Sequence, residues 1–488
     1  MKSLPKLVSL ALLLLLGAPA VLVAQADLRL IEASKHQDEP AFRSLLDLGV
    51  DANATEADGA TALHWAVYRD NADMVRALIQ AGADASANNR YGVASLSLAA
   101  QNGNAQILEL LLDAGADPNT AMGDDETVLM TAARTGVAAA VRILLERGAD
   151  ANARESWRGQ TALMWAAAEG NLDAAKLLIE HGADVTARSS SGFTPLLFAA
   201  REGRVELLRP LLLAGAQVDE ALPSREAENN ESGMSDAAQT GMTAMLLAVG
   251  SAHYAAAAIL LEEGADPNQA PLGWTALHQV SWVRKAGQAG SNNPAPEGSG
   301  AMGSLEFVRK LVEHGADVNA LVTQRPPVGV SDLNMKGGTP FLLAARTADA
   351  DFMRLLVDLG ADPLLPNENN STPLMVAAGL GTAAPGEDPG TELEVLEAVK
   401  VALELGNDIN AVDGNGETAM HGAAYKHVPE VVQYLADNGA EISIWYQENE
   451  SGWTPLTITQ GIHRGMSIVS SRETEAALQK LLDASVSR

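Results

Sequence analysis

The sequence predicts an all-α protein built from about twelve stacked helix-turn-helix units. Two short phrases alternate along the chain, one centred on a glycine and the other beginning with threonine, and six of the ten intervals between successive glycines are 33 or 34 residues. Between the two phrases, apolar residues follow the helical period. Each unit exposes an apolar flank that it cannot bury by itself, so neighbouring units must stack to form a core.

The glycine phrase, Leu-Leu-x-x-Gly-Ala-Asp-x-Asn, marks the end of the second helix in each unit. Its glycine can adopt the left-handed backbone conformation that terminates a helix, and the following Asp and Asn favour a turn. Its glycines are Gly49, Gly82, Gly115, Gly148, Gly182, Gly215, Gly264, Gly315, Gly360, Gly406 and Gly439. Most successive glycines are 33 or 34 residues apart, but four consecutive intervals after Gly215 are 49, 51, 45 and 46 residues.

The threonine phrase, seen as Thr61-Ala62-Leu63-His64-Trp65-Ala66 and again at Thr161, Thr275 and Thr418, marks the start of the first helix. A threonine there caps the free backbone N–H groups, and the following Leu and Ala pack inward. These two phrases resemble those of the ankyrin repeat family, over nearly the whole chain after residue 26. The resemblance implies an ankyrin-repeat solenoid with hairpin fingers between units. It also implies that the imidazole of the histidine in Thr-x-x-His hydrogen-bonds between neighbouring hairpins.

The N-terminal segment has the layout of a secretory signal peptide: Lys2 and Lys6, an apolar run to Val23, and Ala24-Gln25-Ala26. We therefore expect cleavage before Asp27, a periplasmic or secreted protein, and no stable membrane insertion afterwards. The chain has no cysteine, which excludes disulfides, thiol catalysis and C-x-x-C-H haem attachment. Its formal net charge of −29 argues against nucleic acid as a partner.

The expected organisation is a signal peptide at 1–26, an N-terminal capping repeat at 27–58, regular repeats at 59–218, repeats with insertions at 219–452 and a C-terminal capping repeat at 453–488. Two insertions, 220–240 and 321–338, fall in fingers, and two, 284–303 and 379–390, fall between paired helices. Fingers and helix-pair turns lie at opposite edges of an ankyrin stack, so we expect the insertions to alternate between edges. Either they contact a partner or they are neutral.

The resemblance places partner-binding residues on the concave face, just after the paired small residues of each first helix, and on the fingers. Trp, Tyr and Arg dominate the energetics of protein interfaces, although a finger aromatic can instead cover its neighbour's hairpin. The candidates of these types are Tyr68, Arg69, Arg134, Trp157, Phe193, Arg201, Trp274, Trp282, Arg346, Tyr425 and Trp453. We expect Arg134, Arg201 and Arg346 to be exposed, so that reversing their charge would affect binding more than folding.

No motif in the sequence indicates catalysis, a cofactor or a metal. Gly298-Ser299-Gly300-Ala301-Met302-Gly303 has dinucleotide-site spacing but no preceding buried strand, and Asp413-Gly414-Asn415-Gly416-Glu417 is explained as a finger turn. The leading interpretation is therefore a monomeric, non-enzymatic scaffold that binds a protein or peptide. The alternatives are an enzyme with a pocket in the irregular repeats 215–406, or an accessory factor for periplasmic redox enzymes.

Overall fold

The computed structural model describes residues 27–223, 241–285, 295–326, 331–383, 385–386, 388–464 and 467–486. The expected signal peptide at 1–26 lies outside these residues, as do 224–240, 286–294 and 327–330 of the insertions. The chain forms two compact units, divided after Asp117.

The first unit, from residue 27 onward, consists of three helix pairs. Its helices are α1 Arg29–His36, α2 Glu39–Asp47, α3 Ala62–Tyr68, α4 Ala72–Gln80, α5 Ser95–Asn102 and α6 Ala105–Asp113. Within each pair the two helices pack together, and α1, α3 and α5 pack in series.

The second unit continues the same arrangement. Its helices are α7 Val128–Thr135, α8 Ala138–Glu146, α9 Ala162–Glu169, α10 Leu172–Glu180, α11 Pro195–Arg201, α12 Val205–Leu213, α13 Ala244–Gly250, α14 Tyr254–Glu262, α15 Ala276–Val283, α16 Ser304–Glu313, α17 Pro340–Arg346, α18 Ala350–Asp358, α19 Pro373–Ala377, α20 Glu392–Glu404, α21 Ala419–Lys426, α22 Pro429–Asp437, α23 Ile442–Trp445, α24 Pro455–Gly461 and α25 Arg472–Val486. A 3₁₀ turn, Gly123–Asp125, precedes α7. Strands β1 Ile462–Arg464 and β2 Ser467–Val469 form one antiparallel hairpin between α24 and α25.

Apart from the one-turn helix α23, the α-helices of the described residues form twelve pairs, the number of units that the repeat spacing predicts. The predicted helix signals act as expected: the Thr161 side chain accepts a hydrogen bond from the Met164 N–H and caps α9. After α10, Gly182 has a φ of +84°, which a glycine adopts without strain. The first helices of the second unit pack side by side and bury residues such as Leu163 and Leu196 completely.

A ladder of asparagines from the glycine phrase joins the finger of one repeat to the repeat that follows it. The Asn152 side-chain amide donates to the Gly182 carbonyl oxygen at 2.9 Å, and its oxygen accepts from the Asp184 N–H at 2.7 Å. Asn268 makes the same two bonds, to Gly315 and Asp317, across one of the long intervals. The ladder therefore continues through the repeats that carry insertions.

Replacing Asn152 with alanine should lower the free energy of unfolding by about 1–2 kcal/mol, because two hydrogen bonds are lost. Denaturant unfolding followed by circular dichroism measures this change. Glu180→Ala, at an exposed position on α10, is the control and should change the free energy by less than about 0.5 kcal/mol. Equal stability of the two variants would show that the ladder does not stabilise the packing of neighbouring repeats.

The histidines of the Thr-x-x-His phrase are buried and neutral. His278 accepts the Thr275 N–H at Nδ1 (3.1 Å), and its Nε2 lies 2.9 Å from the Ala320 carbonyl oxygen in the next finger, as the ankyrin resemblance implies. Nδ1 is thereby the acceptor and Nε2 the donor. Burial lowers the pKa of His278 to about 4, and burial likewise lowers the pKa of His421 to about 4.

Acid should therefore destabilise the protein from about pH 6.5 down to about pH 4, because the unfolded chain binds a proton at His278 that the folded chain does not. The loss from this residue should be up to about 1.4 kcal/mol per pH unit. His278→Gln keeps a capping-box acceptor after Thr275. In denaturant unfolding, the loss of free energy of unfolding between pH 7.5 and 5.5 should be smaller for this variant by about 1.4 kcal/mol. An unchanged slope would contradict a buried, neutral ring.

Candidate binding site

Two of the insertions meet in the second unit. Ser331 and Thr382 form an antiparallel bridge, and the Ser331 hydroxyl donates to the Gly381 carbonyl oxygen at 3.0 Å. The expectation that insertions 321–338 and 379–390 lie at opposite edges is therefore wrong. Helix α19 has only five residues and ends at Ala377, so the chain leaves the helix early and reaches the insertion in the finger before α17, one repeat earlier.

Three consecutive finger turns lie beside this junction and are joined through their backbones. The Gly414 N–H donates to the Asn369 carbonyl oxygen at 2.7 Å, and the Glu450 N–H donates to the Asn415 carbonyl oxygen at 2.9 Å. The turns are thus fixed relative to one another by hydrogen bonds that do not depend on their side chains.

The insertion junction and the three finger turns together enclose a cavity of about 330 Å³. We call it the finger cavity. Its lining residues are Asp332, Leu333, Asn334, Asn369, Ser371, Leu380, Gly381, Asp413, Asn415, Glu417, Tyr425, Asn449, Glu450, Ser451 and Trp453. Most of these residues are polar, and Tyr425 and Trp453 supply aromatic rings.

Two hydrogen-bond networks hold the lining in place, one around the buried Asp413 carboxylate and one around the half-buried Glu417 carboxylate. One oxygen of Asp413 accepts from the Asn415 and Glu417 N–H groups, both at 2.9 Å, and the other accepts from the Ser371 hydroxyl at 2.8 Å. One oxygen of Glu417 accepts from the Tyr425 hydroxyl at 2.6 Å and from the Asn449 amide at 2.9 Å. Charge-assisted hydrogen bonds of this kind are strong, so the acceptors have defined positions.

The finger cavity is acidic. Asp332, Asp413, Glu417 and Glu450 line it, and no lysine, arginine or histidine is among the described lining residues. Lys426, which follows Tyr425 on α21, instead donates to the Asp388 and Pro389 carbonyl oxygens at 2.9 and 2.8 Å. Field lines in such a concave site favour a cationic ligand.

The sequence-predicted candidates lie in three different environments. Tyr425 and Trp453 both line the finger cavity, although they belong to different repeats. The buried hydroxyl of Tyr425 is oriented by Glu417, whereas the ring of Trp453 is half-buried. Their role in partner binding stays a prediction.

Four candidates are exposed. In the first unit, Tyr68 is 56% exposed and the Arg69 guanidinium lies 5.7 Å from its ring centre. In the second unit, Trp157 is 70% exposed beneath the Arg158 guanidinium, and Arg134 lies 3.6 Å from Glu126 and over the Trp165 ring. These side chains are available for contact with a partner.

Four other candidates pack within the second unit. Phe193 is buried against Phe198, and Arg201 covers both rings while pairing with Glu202 at 2.9 Å. Trp274 is 4% exposed in an apolar cluster, and the half-buried Trp282 contacts it edge to face. Phe193 and Trp274 thus fit the alternative interpretation, in which a finger aromatic packs on neighbouring structure instead of contacting a partner. Each directly precedes a capping threonine, where an apolar residue packs onto the helix that follows.

Arg346 is not exposed, and the sequence-based expectation is wrong at this position. Its side chain is 11% exposed and lies 3.7 Å from Asp388, which belongs to the insertion 379–390. Burial lowers the pKa of Arg346, and burial lowers the pKa of the neighbouring Lys426 to about 8. The insertion thus covers the end of α17 and removes Arg346 from the surface.

The cavity residues other than Tyr425 and Trp453 are absent from the sequence-based candidates. Asp413 and Glu417 belong to a finger turn whose composition is explained by the turn itself. The available signal is the run of Asn, Asp and Ser at the tips of three successive fingers next to two insertions. In the part of the chain that the structure describes, no group of three or more His, Asp or Glu side chains is arranged to hold a metal ion, and no helix is long and apolar enough to cross a membrane.

Repeated pairs of short antiparallel helices, joined by finger turns and an asparagine ladder, define the class of ankyrin-type repeat proteins. A family model described as ankyrin repeats (3 copies) matches residues 30–122, 129–221 and 392–460, just over half of the chain. The chain therefore belongs to the ankyrin repeat family, and the predicted all-α repeat fold is confirmed. A similar solved structure is the ankyrin repeat domain of Bcl-3, a unique member of the IkappaB protein family. It is 28% identical and covers 46% of this chain and 94% of its own, with a TM-score of 0.38. Ankyrin repeats are protein–protein interaction modules.

Proposed function

We propose that the protein is an exported, non-enzymatic scaffold that binds a protein or peptide segment at the finger cavity. The observation that supports this most is the position of the cavity: it lies where the array departs from regular spacing, and insertions 321–338 and 379–390 form part of its wall. Loops without regular structure in a compact domain are usually functional when they are ordered. The need to stack neighbouring repeats accounts for most of the chain, but it does not account for the junction between these two insertions.

The lining favours a protein segment over a small apolar ligand. Small-molecule sites are mostly apolar with a few polar groups, whereas the finger cavity is mostly polar, with two aromatic rings. Polar amide and hydroxyl groups beside Tyr and Trp are the composition of adaptable protein-binding surfaces. The exposed Arg134 and Trp157 of the second unit would add contacts outside the cavity.

Affinity purification from the exporting compartment tests this proposal. Ser451→Trp places a bulky side chain at the exposed rim of the finger cavity, and Leu213→Trp is the matched control at an exposed position of α12. We expect the same partner with the native chain and with Leu213→Trp, and its loss with Ser451→Trp. Recovery of that partner in equal amount with Ser451→Trp would place the binding surface elsewhere.

Export is part of the proposal and rests on the layout of residues 1–26. N-terminal sequencing of the protein from its native cell should give Asp27 as the first residue, in a periplasmic or secreted fraction. Recovery of the chain with its N-terminal 26 residues in the cytosol would contradict export without affecting the proposed binding site.

A second candidate function is catalysis at the same cavity, because Asp413 and Glu417 both line it and carboxylate pairs serve in general acid-base chemistry. Both carboxylates accept internal hydrogen bonds, from Ser371 and from Tyr425 and Asn449, which fits a structural and binding role better. Turnover of glycosides or esters that is abolished in an Asp413→Asn variant of native stability would favour the enzyme.

A further inference from the structure

We infer that the finger cavity receives a basic side chain, arginine or lysine, from the bound segment. This inference rests on the proposed function and specifies its chemistry: the partner would present a cationic residue in an extended or looped segment. It draws on three features of the cavity, namely its acceptors, its aromatic rings and its charge.

The acceptors match the donors of a basic side chain. Arginine carries five N–H donors and lysine three, and neither has an acceptor. The finger cavity offers four carboxylates and the side-chain amide of Asn415. The amide oxygens of Asn334, Asn369 and Asn449 already accept hydrogen bonds within the lining and are held in place by them. Asp413 and Glu417 are oriented by internal hydrogen bonds, so little ordering is required when a ligand binds.

The aromatic rings suit the rest of such a side chain. A guanidinium or ammonium group is attracted to the face of a Trp or Tyr ring within about 6 Å, and the methylene stem packs on apolar surface. Trp453 and Tyr425 line the cavity together with Leu333 and Leu380. A volume of about 330 Å³ is at the lower end of ligand pockets, which is suitable for one or two side chains rather than a large molecule.

The charges point to the same ligand. No described lining residue is basic, and the nearby Arg346 and Lys426 are engaged with Asp388 and with backbone carbonyls of the insertion. The whole chain carries a formal charge of −29, which attracts a basic segment at long range and repels an acidic one. Binding should therefore weaken as salt concentration rises.

Selection from a random peptide library on the purified full chain tests the inference. The cavity variant is Asp332→Lys with Glu450→Lys, both at exposed rim positions, and the control is Glu146→Lys with Glu180→Lys, which changes the net charge equally on exposed helix ends. Peptides enriched on the native chain and on the control, but not on the cavity variant, should share an arginine or lysine. Circular dichroism of both variants should match that of the native chain.

Replacement of that arginine by citrulline, or of that lysine by norleucine, keeps the side chain's approximate shape and removes its charge. Affinity for the native chain should then fall at least about tenfold. Cavity-dependent peptides without a basic residue, or with no loss on neutralisation, would overturn the inference while leaving the proposed function standing. Enrichment independent of the cavity variant, or no enrichment at all, would overturn both.

Discussion

Replacing Trp274 with alanine should lower the free energy of unfolding by about 3–5 kcal/mol, because the indole is buried in an apolar cluster and its loss leaves a cavity. The cluster includes Val322 and Leu333 from the inserted finger and Leu342 from the next first helix. The ring therefore ties the insertion 321–338 to the array. Denaturant unfolding followed by circular dichroism measures the change.

Trp157→Ala is the matched control for this substitution. Trp157 is also a finger tryptophan but is 70% exposed, so its removal should change the free energy of unfolding by less than about 0.5 kcal/mol. If the Trp274 variant kept native stability and lost its partner, Trp274 would be a surface anchor, and the placement of the inserted finger would be wrong.

Reversing Arg346 to glutamate should also destabilise the protein, by about 3 kcal/mol or more. The new carboxylate would be buried beside Asp388, and an uncompensated buried charge is costly. Reversal of Arg134, whose side chain is 40% exposed, should cost less than about 1 kcal/mol. Thermal unfolding of the two variants measures the difference.

A native melting temperature for the Arg346 variant would mean that the insertion 379–390 does not cover this residue. Arg346→Met tests the same contact without introducing a second carboxylate, and its loss of stability should be smaller than that of Arg346→Glu. The opposite order would show that Arg346 is not buried against Asp388.

The repeats were predictable because their signals are local. The threonine caps and the terminal glycines follow from phrases repeated within each repeat, and the hydrogen-bonded His278 follows from the family resemblance of the threonine phrase. The exposure of a side chain was not predictable from its position in the repeat where an insertion packs over it. Arg134 and Arg346 occupy equivalent positions after paired alanines, yet only Arg346 is covered, by a segment some 40 residues later in the chain.

The finger cavity belongs to this less predictable part. The bridge between Ser331 and Thr382 joins residues from two insertions that the repeat pattern assigns to opposite edges, and no local phrase specifies it. The aromatic fingers show a finer distinction that the sequence does carry. Trp274, Phe193 and Trp453 each directly precede a capping threonine and are buried or half-buried, whereas Trp157 lies four residues before Thr161 and is exposed.

The central claim, that a partner docks at the finger cavity, is tested most directly by site-specific photo-cross-linking in the native cell. A benzophenone amino acid would replace Glu450 at the exposed rim, or Leu213 on the exposed face of α12 as control. Irradiation should give one discrete adduct from position 450 and none from position 213, and Ser451→Trp should suppress that adduct. An adduct from position 213 with none from position 450 would contradict the claim.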